Sequence, residues 1–215
     1  MASKPLLSAF FETPLIVDRI DDHQALNADL RARIMERRAE VPGMARSNQL
    51  GWHSDTAMLD WAADSTRVLI ERIMALAGRF TVDLGARGAP RYRWVPEIWA
   101  NVSDYGASNQ YHTHPGAYWS AVYYVDDGYL GSADPDLGGE IVFEDPRIPT
   151  LLMEAPDLRI RLAKGHVEPT FQLRPESGNL LMFPSWLRHA VNPYLGQSER
   201  ISIAVNLTAI WDPQL

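Results

Sequence analysis

From Pro90 onward the sequence is punctuated too often for long helices. Short runs rich in Trp, Tyr, Val and Ile alternate with clusters of Gly, Pro, Asp and Asn. The runs cover 91–102, 118–125, 140–143, 170–173, 179–183 and 201–210, and turn signals such as SDYGAS, DDGYLGSADPDLGG and ESGN separate them. β-branched and aromatic side chains suit a pleated, half-buried surface, whereas Gly, Pro, Asp and Asn favour turns. Many short strands of this kind predict a β-sandwich or a barrel-like jelly roll. Segments 127–139 and 144–166 read as long irregular loops, and loops carried on a rigid β scaffold are where sites gather.

The front of the chain is different. Residues 8–18 suggest an early strand. Asp21 or Asp22 can cap a helix running to about Val41, with Leu26, Leu30 and Ile34 on one face at four-residue spacing. Residues 42–54 (PGMARSNQLGWHS) are turn-rich and predict a loop. A second helix is expected from near Thr56 to near Leu76, with Met58, Trp61, Ala62, Leu69, Ile73 and Ala77 forming a stripe for core packing. The expectation is one domain over 1–215, in which a helical support at 1–89 backs a β core at 90–210.

With 215 residues the chain can bury roughly 70% of its unfolded surface. It has no cysteine, which excludes disulfides, thiolate metal sites and cysteine nucleophiles and fits a cytoplasmic location. Glu12 and Pro14 interrupt the apolar N-terminal run, so no signal-peptide core is expected there. No run of ~18 apolar residues offers a membrane span. A formal net charge of −7 argues against a nucleic-acid partner, whose phosphate backbone calls for a basic surface.

The chemistry-bearing stretch is QYHTHPGAYW at 110–119. In an extended chain residues i and i+2 share a face, so His112 and His114 project together and can reach one metal ion. Pro115 removes a backbone donor and ends the strand near a rim. Taken alone this pair is a weak signal. His189, in LLMFPSWLRHAVNP, strengthens it, because a turn after an apolar strand carries a third imidazole. His23, His53 and His166 have no partner at comparable spacing and are taken as structural or surface residues.

Arg200 opens the strand RISIAVNL and shares one face with Ser202, Ala204 and Asn206. A guanidinium on the inner face of a β core needs an anion, for which a carboxylate is the natural mate. That mate is either an Asp or Glu of the chain or a small carboxylate ligand beside the metal.

These segments, in the order HTH, GGEIVF, SGNLLMFPSWLRH and RISIAVN, resemble the iron(II)- and 2-oxoglutarate-dependent oxygenases. More narrowly, HTHPGAYWSAVYYV with FPSWLRHAV resembles a bacterial and phage-associated group with an HxHPG motif. The resemblance implies a double-stranded β-helix, a cupin-like jelly roll whose mouth holds Fe(II). It implies His112 and His189 as metal ligands, Arg200 with Ser202 as the grip on 2-oxoglutarate, and Asn101 as a further co-substrate contact. Tyr123 is a candidate phenol donor to the same carboxylate, with core packing as its alternative. The implied reaction is oxidative decarboxylation of 2-oxoglutarate to succinate coupled to hydroxylation of a substrate.

The sequence departs from the family at one ligand. His114 stands where relatives carry a carboxylate. Three neutral imidazoles leave the metal centre one charge more positive, which dianionic 2-oxoglutarate can offset. His114 is expected to ligate. The alternatives are a water in its place or a carboxylate from elsewhere, with Glu140 and Asp104 the nearest candidates by motif. Trp119 and Trp186 are candidate pocket walls, and Asp126 and Asp127 read as turn formers. Two rival functions stand beside the oxygenase: a cupin-like three-histidine dioxygenase that uses no 2-oxoglutarate, and a non-enzymatic ligand-binding jelly roll. The substrate, whether small molecule or protein, does not follow from the resemblance.

Overall fold

The computed structural model describes residues 8, 10–147, 155 and 157–212. One curled antiparallel sheet dominates it. In chain order the elements are β1 (Ile16–Arg19), α1 (His23–Glu40), β2 (Asn48–His53), α2 (Met58–Trp61), α3 (Ala63–Arg79), β3 (Tyr92–His112), β4 (Trp119–Asp126), β5 (Ile141–Glu144), β6 (Thr170–Leu173), β7 (Asn179–Pro184), β8 (His189–Val191) and β9 (Arg200–Trp211). The strands run in the spatial order β1-β7-β4-β9-β3-β8-β5-β6, and β2 pairs with β3.

The curl originates in β3. SDYGAS does not end the strand as the turn signal predicts. The backbone bends at Gly106, with φ of 82°, and continues. Its first half pairs with β9 from Tyr92 to Ser103, and its second half pairs with β8 at Asn109 and His112. Gly106 N–H donates to the Tyr194 carbonyl at 2.6 Å and Tyr194 N–H to the Ala107 carbonyl at 2.9 Å, which satisfies the backbone at the bend. Glycine carries the positive φ without the steric penalty a Cβ would impose. One strand therefore belongs to both layers of a jelly roll.

Alternation along the strands builds two cores. Ala121, Tyr123 and Val125 of β4, Leu180 and Met182 of β7, and Ile201, Ile203, Val205 and Leu207 of β9 face the helices. They meet Leu30 and Ile34 of α1 and Leu69, Ile73, Leu76 and Ala77 of α3. Each fully buried aliphatic side chain contributes about 1.5–3 kcal/mol of transfer free energy. The opposite faces contribute Tyr124, Leu181, Phe183, Ile141 and Phe143 to a smaller cluster between the layers.

Three local expectations change. The stretch 42–54 contains β2, whose Gly51–His53 segment pairs with Asn101–Ser103. The second helix starts at Met58, breaks at Ala62 after a single turn, and resumes as α3 from Ala63 to Arg79. His189 lies in β8, a three-residue strand too short to announce itself by alternation.

Candidate active site

The register of β3, β9 and β4 lays cavity-facing residues in rows. Glu97–Asn206–Ser120 forms the outermost row, followed by Trp99–Ala204–Val122 and then Asn101–Ser202–Tyr124; Ser103 pairs with Arg200 beyond them. With His112, His114 and His189 these rows line a cavity of about 410 Å³.

At the outer end the three histidines converge. His112 and His189 are register partners in β3 and β8, while His114 follows the end of β3, its backbone N–H donating to the Ser185 carbonyl at 3.0 Å. The ring centroids are 4.3 Å apart for His112–His189, 5.0 Å for His112–His114 and 5.1 Å for His114–His189. One nitrogen from each lies within 4.8 Å of the others. His112 Nδ1 donates to the Gln110 carbonyl at 2.7 Å, and His189 Nδ1 donates to the Leu187 carbonyl at 2.8 Å. Both bonds fix the tautomer that leaves Nε2 as a lone pair. Burial holds all three imidazoles below their ordinary pKa, His114 at about 4 and His189 at about 3, with His112 adding a smaller repulsion to each. The cluster is therefore neutral at pH 7, and neutral imidazole is the form that binds a metal ion.

At the deep end lies Arg200, only 3% exposed. Among the described residues no carboxylate pairs with it, and its Nε is buried without a hydrogen-bond partner. The guanidinium lies 5.2 Å from the Tyr124 ring centroid. Tyr124 Oη is likewise buried and makes no well-formed hydrogen bond; its polar neighbour is Arg200, which opposes the rise that burial imposes on its pKa. Gly139, with φ of 80°, lets the loop before β5 close over this corner: a Cβ there would stand 3.4 Å from Arg200 Cδ and 3.2 Å from Tyr194. A buried guanidinium with no carboxylate beside it and a phenol whose polar neighbour is that same cation are costly unless an anion completes them. A carboxylate ligand meets both demands.

The candidates from sequence sort as follows. Ser202 and Asn101 line the cavity, side by side across β3 and β9. Tyr123 does not. It is fully buried on the helix side, and its hydroxyl donates to Asn27 Oδ1 at 2.5 Å, while Asn27 Nδ2 donates to the Val125 carbonyl at 2.6 Å. The inward tyrosine is its neighbour Tyr124. In a YY pair one ring must face each side, and only the pairing Tyr124↔Ser202 decides which. Asp104 is held by Arg38, and Glu140 accepts from Asn192 Nδ2 at 3.3 Å, so neither carboxylate joins the histidines. Trp119 is buried against Thr81 and Trp186 is 55% exposed; neither lines the cavity. Trp99 does, stacked on His53 at 5.5 Å and tilted over His114 at 5.9 Å. His53, Asn206 and Ser120 also face the cavity. The face of Ser202 in RISIAVNL points to Asn206; nothing in the sequence points to His53, because the turn-rich composition of 42–54 masks the strand that carries it.

A jelly roll with three neutral histidines at its mouth and an unpaired arginine below them defines a metal-dependent enzyme scaffold that takes an anionic co-substrate. The family described as "Putative 2OG-Fe(II) oxygenase" matches residues 97–206, slightly more than half of the chain. The chain belongs to that family of iron(II)- and 2-oxoglutarate-dependent oxygenases. Among curated proteins no match was found.

Solved structures agree on the fold. A Pseudomonas putida prolyl-4-hydroxylase superposes with a TM-score of 0.58 at 21% identity, over 91% of this chain and 92% of that one. A Trichoplax adhaerens prolyl hydroxylase, solved with a hypoxia inducible factor oxygen degradation domain peptide fragment, gives 0.61 at 13% identity, over 93% and 84%. HygX from Streptomyces hygroscopicus, solved with nickel and 2-oxoglutarate bound, gives 0.62 at 11%, over 91% and 83%. Among the described residues no helix is long and apolar enough to cross a membrane.

Proposed function

We propose that His112, His114 and His189 hold the Fe(II) of this oxygenase and that 2-oxoglutarate lies between them and Arg200. The pairing of two unsatisfied buried groups, Arg200 Nε and Tyr124 Oη, at the floor of the histidine-lined cavity carries this reading. The far carboxylate of the co-substrate accepts from the guanidinium and from the phenol, and Ser202 and Asn101 stand in the next row. Iron with bound 2-oxoglutarate supplies oxidative decarboxylation and the oxidation of a C–H bond.

The chain's own contribution is placement. Leu187 and Gln110 carbonyls orient His189 and His112 so that both Nε2 atoms face the cavity. Trp99 and Val122 wall the space between metal and arginine and keep it apolar, which excludes bulk water and strengthens the charge pairing below. Two charges on the co-substrate balance a site whose three ligands carry none. The substrate enters past Glu97 and Asn206, the side opposite Arg200. We take 1–89 as support for a core at 90–210 within one unit, and we place the protein in the cytoplasm on the strength of its cysteine-free sequence.

Anaerobic calorimetry with Fe(II) and 2-oxoglutarate, followed by succinate detection under oxygen, tests the assignment. The expected result is 2-oxoglutarate binding that needs both metal and Arg200. Metal-dependent oxygen consumption that survives Arg200→Ala would instead favour the three-histidine dioxygenase that needs no keto acid. No oxygen consumption with any co-substrate would favour a ligand-binding role.

A further inference from the structure

We infer that the substrate of this oxygenase is a free amino acid, its carboxylate paired with Arg46 and its ammonium with Glu97 at the mouth of the cavity; the inference rests on the oxygenase reading proposed above. Histidines aside, the charged side chains that line the cavity among the described residues are Arg46, Glu97 and Arg200. Arg200, at the floor, answers the co-substrate. One cation and one anion remain, both exposed at the mouth. Among the described residues neither side chain makes a hydrogen bond or an ion pair, with the other or with any third group. Most other arginines of the chain do lie against a carboxylate. The two arginines of this cavity are thus left open, one above the histidines and one below them.

The backbone holds Arg46 and Glu97 apart. Met44 N–H donates to the His53 carbonyl at 2.8 Å and Gln110 N–H to the Ser47 carbonyl at 2.9 Å, which fixes Arg46 between the end of β2 and the second half of β3. Glu97 belongs to the first half of β3, where its neighbour Ile98 bridges Ala57. Both charges act on the same imidazole. Burial holds His53 below its ordinary pKa, Arg46 lowers it further and Glu97 raises it. His53 is only 6% exposed, and its Nδ1 donates to the Ser54 carbonyl at 2.6 Å. Its Nε2 is then an acceptor, without a partner among the described residues, in the cavity wall.

This set of groups selects its ligand by charge. An anion drawn to Arg46 meets Glu97 as a like charge, and a cation drawn to Glu97 meets Arg46; a zwitterion satisfies both. An ammonium group has three donors, enough for the Glu97 carboxylate and His53 Nε2 together. A cavity of about 410 Å³ that also takes 2-oxoglutarate suits a second molecule of only a few heavy atoms. Trp99, 5.5 Å from His53 and 5.9 Å from His114, joins this subsite to the histidine cluster. In the overall reaction one oxygen atom of O2 enters a C–H bond of the amino acid and the other enters succinate, as 2-oxoglutarate loses CO2.

Succinate release by the full chain with Fe(II), 2-oxoglutarate and oxygen, measured with each common protein amino acid in turn, tests this. At least one amino acid should stimulate release several-fold. Its amide and its N-acetyl derivative should each show a KM raised about 10-fold or more, the scale of a hydrogen bond between charged groups. Arg46→Ala should abolish the preference over the amide and Glu97→Ala the preference over the N-acetyl derivative, a pairing that a merely structural role would not produce. Equal KM values for the three ligands in the wild type, preferences untouched by both variants, or stimulation by no free amino acid overturns the inference. If a variant does not fold, the wild-type comparison decides alone. In all these cases 2-oxoglutarate binding that requires metal and Arg200 leaves the oxygenase reading standing; its absence overturns both.

Discussion

His112 and His189 are cross-strand partners whose ring centroids lie 4.3 Å apart, although 77 residues separate them in the chain. The bend at Gly106 creates this pairing by carrying the end of β3 into the second layer. Substitution of either histidine by alanine is expected to abolish metal binding, measured by calorimetry with Fe(II) or Mn(II). His114→Ala should weaken binding without abolishing it, since two fixed ligands remain.

Arg200 and Tyr124 should separate co-substrate binding from folding. Arg200→Met is expected to abolish measurable 2-oxoglutarate binding. The same change should leave the metal-free protein as stable or more stable by about 1 kcal/mol, because it removes an unpaired buried charge. Tyr124→Phe should weaken 2-oxoglutarate binding roughly 10-fold, the scale of one hydrogen bond to a charged group. Isothermal titration beside thermal melts checks both.

Tyr123, one residue away, should behave in the opposite way. Its hydroxyl serves Asn27 in the helix–sheet core. Asn27→Ala would strand that hydroxyl and the Val125 carbonyl, and is expected to destabilise the fold by about 1–3 kcal/mol. Metal and 2-oxoglutarate affinities should not move. Chemical denaturation and calorimetry on Asn27→Ala and Tyr123→Phe test this.

Acid should destabilise the metal-free protein through the histidine cluster. His112, His114 and His189 have folded-state pKa values below the ordinary 6.5, with His189 at about 3 and His114 at about 4. Below pH 6.5 the unfolded chain binds protons that the folded chain refuses. For His114 and His189 the contribution is complete above that value and is lost as the pH falls toward 3–4, by about 1.4 kcal/mol per pH unit for each of the two, and His112 acts in the same direction. Melting temperatures at pH 7 and 5 should show a steeper decline in the wild type than in His189→Gln.

Most of the strands after Pro90 were legible from alternation. The run RISIAVNL divides into a helix-facing set, Ile201, Ile203, Val205 and Leu207, and a cavity-facing set, Arg200, Ser202, Ala204 and Asn206, as its period of two requires. The chemical identity of the cluster was legible too, because HTH, a distant histidine and an arginine at its fixed offset are carried by residue type and order.

What the sequence determined by itself was most of the inventory: the strands other than β2 and β8, which face each residue takes relative to its neighbours, and which imidazoles could meet a metal ion. The tertiary structure decided absolute orientation. It chose Tyr124 over Tyr123, gave Asp104 to Arg38 and Glu140 to Asn192, and brought His53 and Trp99 to the cavity wall. The physical reason is that alternation fixes only relative facing. The absolute side depends on register between strands far apart in the chain, set here by the pairing of β9 with both β3 and β4.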